Sequence, residues 1–216
     1  MISVLVVDDH DLVRSGISRL LADANGVEVV GEACSGEEAI ARVREREPDV
    51  VLMDVQMPGI GGLEATRKII ASDLGTRVIA VTACDENPFA KRLFEAGASG
   101  YLTKGAQLDE MVTAIRRVHS GQKYVSPEIA QRMALQQWDV REEQNPFERL
   151  SEREMQVALM IVNCHKVPDI ADKLFLSSKT VNTHRYRLFE KLEINSDVEL
   201  THLAYLHGLI DRRNGG

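Results

Sequence analysis

Cysteine is scarce in this 216-residue chain, where Cys34, Cys84 and Cys164 are the only three. Their odd number and wide scatter match no metal-ligand spacing and no disulfide framework, which leaves them as small buried hydrophobes. Long apolar runs are missing too. No stretch approaches the roughly 18 residues of a membrane span, and no export signal opens the sequence, so no membrane association and a cytoplasmic location are expected. An overall basic charge is also absent: 26 Lys and Arg face 33 Asp and Glu, a net of −7. The deficit lies in residues 1–145, with 16 basic against 23 acidic residues, whereas residues 146–216 hold 10 of each. The first part is therefore a poor nucleic-acid binder. Within the second, Ser177–Leu192 carries Lys179, Arg185, Arg187 and Lys191 against Glu190 alone, a local positive stripe.

What is present is an alternation. Five strand-like runs, "ISVLVV", "VEVVGEA", "VVLM", "RVIAVTA" and "GYLTK", are each followed by a helical pattern. Leu12, Ile17, Leu20 and Leu21 space as the first helix face, Ala39, Ile40 and Val43 as the second, and "LDEMVTAIRRVHSG" as the fifth, ending on Gly121. Five strand–helix repeats predict a doubly wound parallel sheet, a (βα)5 domain over residues 1–121. Residues 122–146, which include the polar "WDVREEQNP", read as a linker. Four helical patterns without strands follow at Glu152–Val162, Val167–Leu174, Lys179–Leu192 and Val198–His207, giving an all-α domain over residues 147–216.

In an open parallel sheet, ligands sit outside the carboxyl ends of the strands. Asp8 and Asp9 end the first strand here, Asp54 the third, Thr82 the fourth and Lys104 the fifth. A lone Asp in such a place is ordinarily a helix cap or turn residue. Three carboxylates converging on one edge repel unless a cation is present. Asp9, Asp54 and the backbone carbonyl of Gln56 offer oxygen ligands to Mg²⁺, with Asp8 reaching it through a water. So placed, Asp54 can attack phosphorus to form an acyl phosphate, with Lys104 neutralising charge and Thr82 offering a hydroxyl whose movement is the switch.

The segments "VVDDH", "LMDVQMPGIGG", "VTA" and "YLTKG" resemble, in order and spacing, the receiver domain of two-component response regulators. The resemblance implies phosphorylation of Asp54 by a sensor histidine kinase. It also implies metal binding by Asp8, Asp9, Asp54 and Gln56, phosphoryl contacts from Thr82 and Lys104, and Tyr101 as the aromatic that turns inward with the switch Thr. Read without the family, Tyr101 is an ordinary half-buried residue of an edge strand. "LTK" stands where many members have Ser before the Lys, a mild departure that leaves the Lys itself untouched. The chain is then no enzyme beyond assisting its own phosphotransfer and dephosphorylation.

"KTVNTHRYRLFEKL" puts Val181, Leu188 and Leu192 on one face, at about 100° per residue, and Lys179, Thr183, Tyr186 and Arg187 on the other, flanked by Thr180 and Asn182. Such a helix can lie in a major groove, and the preceding "VPDIADKLFLSS" completes a helix-turn-helix pattern. With "LSEREMQV" and "DVELTHLA", these words resemble the DNA-binding domain of the NarL/LuxR (FixJ) family. By that resemblance Asn182, Thr183 and Tyr186 meet bases, while Lys179, Thr180, Arg185 and Arg187 meet the DNA backbone. His184 faces inward, and Val198–His207 forms a dimerisation surface. "VNCHKVPDIA" departs from the family in lacking a Gly-centred turn.

Over its whole length the sequence resembles the GacA/UvrY group. This implies a hybrid sensor kinase and control of small regulatory RNA genes, and with the NarL/LuxR resemblance the phosphorylated chain is expected to form a homodimer on two DNA half-sites. Two other readings stand beside it. One is an Asp-nucleophile, Mg²⁺-dependent phosphatase, which needs a second carboxylate two residues on, where this chain has Gln56. The other is a regulator that binds partner proteins without DNA contacts.

Overall fold

The computed structural model describes residues 1–82, 89–131, 145–207 and 209, in two compact units, Met1–Gln136 and Gln137–Gly216. Cys84 and most of the expected linker lie outside the described residues.

The first unit alternates β1 (Ile2–Val7), α1 (Asp11–Ala22), β2 (Val27–Ala33), α2 (Gly36–Arg46), β3 (Val50–Asp54), α3 (Gly61–Ala71), β4 (Arg77–Thr82), α4 (Phe89–Glu95), β5 (Gly100–Thr103) and α5 (Leu108–His119). Tyr124–Val125 then form β6, and residues 127–131 are helical. The sheet runs β2-β1-β3-β4-β5-β6 with every neighbouring pair parallel. Ile17 and Leu21 of α1 pack with Met111, Ala114, Ile115 and Val118 of α5 on one face. Ala39 and Val43 of α2 pack with Ala65 and Ile69 of α3 on the other. Burial from both sides is why β3 is apolar throughout up to Asp54 and carries no polar alternation.

Three expectations change. Tyr124 and Val125, read as the start of the connection, bond to β5 as a sixth strand, so β5 and Tyr101 are not at the sheet edge. Leu12 is 88 % exposed and Leu20 47 %, because only Ile17 and Leu21 of that stripe point at the sheet. Cys34 and Cys164 are exposed, not buried. Cys34 lies past the end of β2, and Cys164 follows a helix at a left-handed φ of 62°.

The second unit has a 3-10 turn (Pro146–Arg149), α6 (Glu152–Val162), α7 (Val167–Lys173), α8 (Ser178–Leu192) and α9 (Asp197–Leu206). Serine starts three of these helices: Ser151, Ser177 and Ser196 accept from the backbone N–H three residues on, and Glu154 returns the bond to Ser151 in a capping box. At the Gly-less turn before α7, Cys164 itself takes up the left-handed conformation that glycine usually supplies.

Candidate functional site: an acidic pocket and a basic helix

Parallel pairing brings the strand ends together. Val7 lies beside Met53, Asp54 beside Val81, and Thr82 beside Thr103. The residues at or just past those ends, Asp8, Asp54, Thr82 and Lys104, therefore share one edge. Asp8 is 1 % exposed and Asp54 2 %. Lys104 Nζ stands 2.6 Å from Asp8 Oδ2 and 2.8 Å from Asp54 Oδ2, one ammonium between two carboxylates. The Gln56 N–H donates to Asp54 Oδ1 at 3.1 Å, and the His10 N–H to Asp8 Oδ1 at 2.9 Å. Burial, more than the neighbouring Asp8 charge, pushes the Asp54 carboxyl up to about 6, against the pull of Lys104 and the Gln56 N–H. Burial also works against the charge on Lys104, but Asp54 and Asp8 outweigh it and hold the ammonium above its ordinary range.

The loop after Asp54 is shaped by glycine. A Cβ on Gly62 would stand 2.0 Å from the Asp54 carbonyl oxygen, so only glycine lets α3 begin directly behind the carboxylate. Gly59, at φ 73°, turns the loop toward the first turn of α2, where Glu37 accepts from the Ile60 N–H at 3.0 Å.

The donor set fits a hard divalent cation. Oxygens of Asp8, Asp9 and Asp54 and a ring nitrogen of His10 all lie within 4.8 Å of one another. Asp9 Oδ1 is buried without a hydrogen bond, with His10 Nδ1 2.9 Å away as its ionic neighbour. A buried carboxylate oxygen left unsatisfied in an acidic cluster is what a bound cation would relieve.

In the second unit, α8 buries Val181, Leu188, Phe189 and Leu192 and exposes Lys179, Thr183, Tyr186 and Arg187, with Thr180 and Asn182 half-buried. Tyr186 is 70 % exposed on a helix otherwise anchored by its apolar face. Arg185 does not join the exposed set. Its guanidinium makes a two-pronged bond to Asp197 at 2.9 and 2.7 Å and stacks over the Phe189 ring. His184 is half-buried, and burial lowers its pKa, with Glu154 opposing and Arg153 and Arg187 assisting. Lys191 ties α8 to α6 through Glu154 at 2.6 Å.

The Response regulator receiver domain matches residues 4–116. The chain belongs to the two-component response regulators. Residues 148–204 match the bacterial regulatory proteins of the luxR family, so this response regulator is a DNA-binding transcription regulator. It is 62 % identical to the response regulator GacA of Pseudomonas aeruginosa, over 98 % of this chain and 99 % of that protein. It is 56 % identical to UvrY of Escherichia coli K12, over 97 % of this chain and 96 % of that protein. The crystal structure of the response regulator ChrA of a heme-sensing two-component system is similar, with TM-score 0.54 and 30 % identity, covering 97 % of this chain and 98 % of that one.

Of the expected receiver residues, the fold brings Asp8, Asp54 and Lys104 into direct contact and sets Asp9 beside them. Thr82 is fully buried at the end of β4, and its carbonyl accepts from the Lys104 N–H at 2.6 Å. Tyr101 is 1 % exposed within β5, and Gln56 is exposed on the loop. Two residues went unread in the sequence. His10 follows the acidic pair directly in "VVDDH", and Arg14 comes one helical turn later.

Proposed function

We propose that Asp54 is the phosphoacceptor of a switch controlling DNA binding by the second unit. The observation carrying this is the Lys104 ammonium shared between two buried carboxylates at the ligand edge of the sheet. An Asp54 oxygen attacks phosphorus in a phosphohistidine of a sensor kinase, the P–N bond breaks as the P–O bond forms, and an acyl phosphate results. Lys104 turns from the carboxylate to a phosphoryl oxygen, and the Thr82 hydroxyl donates to another. Asp8, Asp9, Asp54 and the Gln56 carbonyl would hold Mg²⁺, which supplies positive charge against the phosphoryl oxygens. Tyr101, already inside the protein, follows Thr82 as the switch closes.

On DNA, we assign Asn182, Thr183 and Tyr186 to base edges and Lys179, Thr180 and Arg187 to phosphates, while Arg185 supports the helix through Asp197. Exposed Val198, Tyr205 and Leu206 on α9 suit a homodimer contact that reads two half-sites. We propose a receiver over residues 1–121, which β6 (Tyr124–Val125) extends into the 122–146 connection, and a DNA-binding domain over residues 147–216. By the resemblance to the GacA/UvrY group, we propose a hybrid sensor kinase as phosphodonor and small regulatory RNA genes as targets. No helix among the described residues is long and apolar enough to cross a membrane, and a DNA target supports a cytoplasmic location.

The test is phosphate uptake from acetyl phosphate with Mg²⁺, followed on a phosphate-retarding gel. Wild type should shift and Asp54→Asn should not. A shifted Asp54→Asn band overturns the assignment. Binding to duplex DNA that weakens steeply with salt separates this reading from a regulator working through protein partners alone.

A further inference from the structure

The turn that carries Asp8 and Asp9 is held from β2. The Asp8 N–H donates to the Ala33 carbonyl at 3.2 Å. The Asp8 carbonyl accepts from Arg14 Nη1 at 2.7 Å, and Arg14 Nε in turn donates to Glu32 Oε2 on β2 at 3.2 Å. Arg14 also bonds Asp11 in its own helix, and its side chain is only 13 % exposed. Both backbone polar groups of Asp8 are thus tied to the end of β2, the N–H directly and the carbonyl through one guanidinium.

This matters because the other ties on the turn, from Lys104 Nζ and the His10 N–H, reach only the Asp8 carboxylate and leave its backbone carbonyl to Arg14. Asp8 and Asp9 carry like charges, and Asp9 Oδ1 has no hydrogen bond. Without the bridge, the Asp8 carbonyl would seek water and the turn would gain conformations in which the Asp9 oxygens point away from Asp54. Any cation would then have to order the turn before binding, at a cost in affinity. A carbonyl needs a donor and a carboxylate needs a cation, and Arg14 serves both with a rigid planar fork that lysine cannot reproduce.

We propose that Arg14 is a positioning residue: by bridging Glu32 to the Asp8 carbonyl, it holds residues 8–10 in the arrangement that presents the Asp8 and Asp9 oxygens to a divalent cation. The proposal rests on the metal-binding reading of the pocket and adds to it a residue outside the ligand set.

The test uses the full chain and Mn²⁺ alone, with free Mn²⁺ counted by electron paramagnetic resonance. Arg14→Met keeps the apolar stem and removes every donor, and it should weaken Mn²⁺ binding about tenfold, as loss of an outer-shell partner does. Arg14→Lys should recover part of the loss. Glu32→Gln, which keeps shape and drops one charge, should fall between wild type and Arg14→Met. In acetyl phosphate reactions, the Mg²⁺ concentration for half-maximal rate should rise by the same factor, while the rate at saturating Mg²⁺ stays within about twofold. A folded Arg14→Met that binds Mn²⁺ as tightly as wild type overturns the proposal. Should Arg14→Met fail to fold, Glu32→Gln decides, and unchanged affinity there overturns it equally. If wild type binds Mn²⁺ no better than Asp9→Asn, the metal reading has failed, and this inference with it.

Discussion

Lys104 Nζ lies 2.8 Å from Asp54 Oδ2 and is held on its other side by Asp8. Lys104→Met leaves two buried carboxylates facing each other with no cation between them. In chelator, the first unit should lose about 3 kcal/mol, the scale for breaking a buried pair. Added Mg²⁺ should return much of the loss, because it opposes the same charges. Urea unfolding with and without Mg²⁺ measures both, and a loss indifferent to Mg²⁺ contradicts the shared pocket.

Asp54 gives the apo protein a pH signature of unusual sign. Its carboxyl sits at about 6 in the folded chain against 3.8 when exposed. Between those values the folded state holds a proton that the unfolded state has lost. Stability from this group therefore falls as pH rises through the window and is level above it. Asp54→Asn lacks the effect. Urea midpoints at the two ends of the window, in chelator, should show wild type losing ground to Asp54→Asn as pH rises. Mg²⁺ should flatten the difference by favouring the charged form. A wild type that gains on the variant with rising pH has the opposite linkage.

Gly62 leaves no room for a side chain. Gly62→Ala drives a methyl carbon into the Asp54 carbonyl oxygen and should destabilise the first unit by about 3 kcal/mol. The displaced loop should also slow phosphate uptake. Gly16→Ala is the control, since its methyl meets nothing within 4 Å and its site lies within α1. That change should leave stability equal or raise it by up to about 1 kcal/mol. Equal melting temperatures for the two variants contradict the stated contact.

Lys179 and Arg185 carry the same charge on one helix and should behave differently. Lys179→Ala should lower the slope of log affinity against log salt for duplex DNA by about one. Arg185→Ala should leave that slope nearly unchanged and cost about 1 kcal/mol of stability, the scale for a half-exposed pair. Fluorescence anisotropy across a salt series, with a thermal melt beside it, reads both.

The acidic edge was legible in the sequence because parallel strands place residues far apart in the chain at one rim, and charge at the end of an apolar run marks that rim. The helix-turn-helix was legible because one face of α8 is apolar and serine marks its start. What escaped depends on partners without periodicity. Arg185 meets Asp197 twelve positions on, and Arg14 meets Glu32 across a strand, pairings that no local pattern announces. β6 is too short for alternation to register. Leu12 fits a helical stripe, yet the stripe is wider than the face the sheet covers.

The sixth strand has a mechanical consequence. The Ser126 N–H donates to the Tyr101 carbonyl at 3.1 Å, and Val125 is paired with Tyr101 across the ladder. The polypeptide thus departs from the sheet stitched to the very residue proposed to report the phosphate. Any shift of the Tyr101 backbone would therefore meet the outgoing chain at its first ladder bonds, residues 125 and 126.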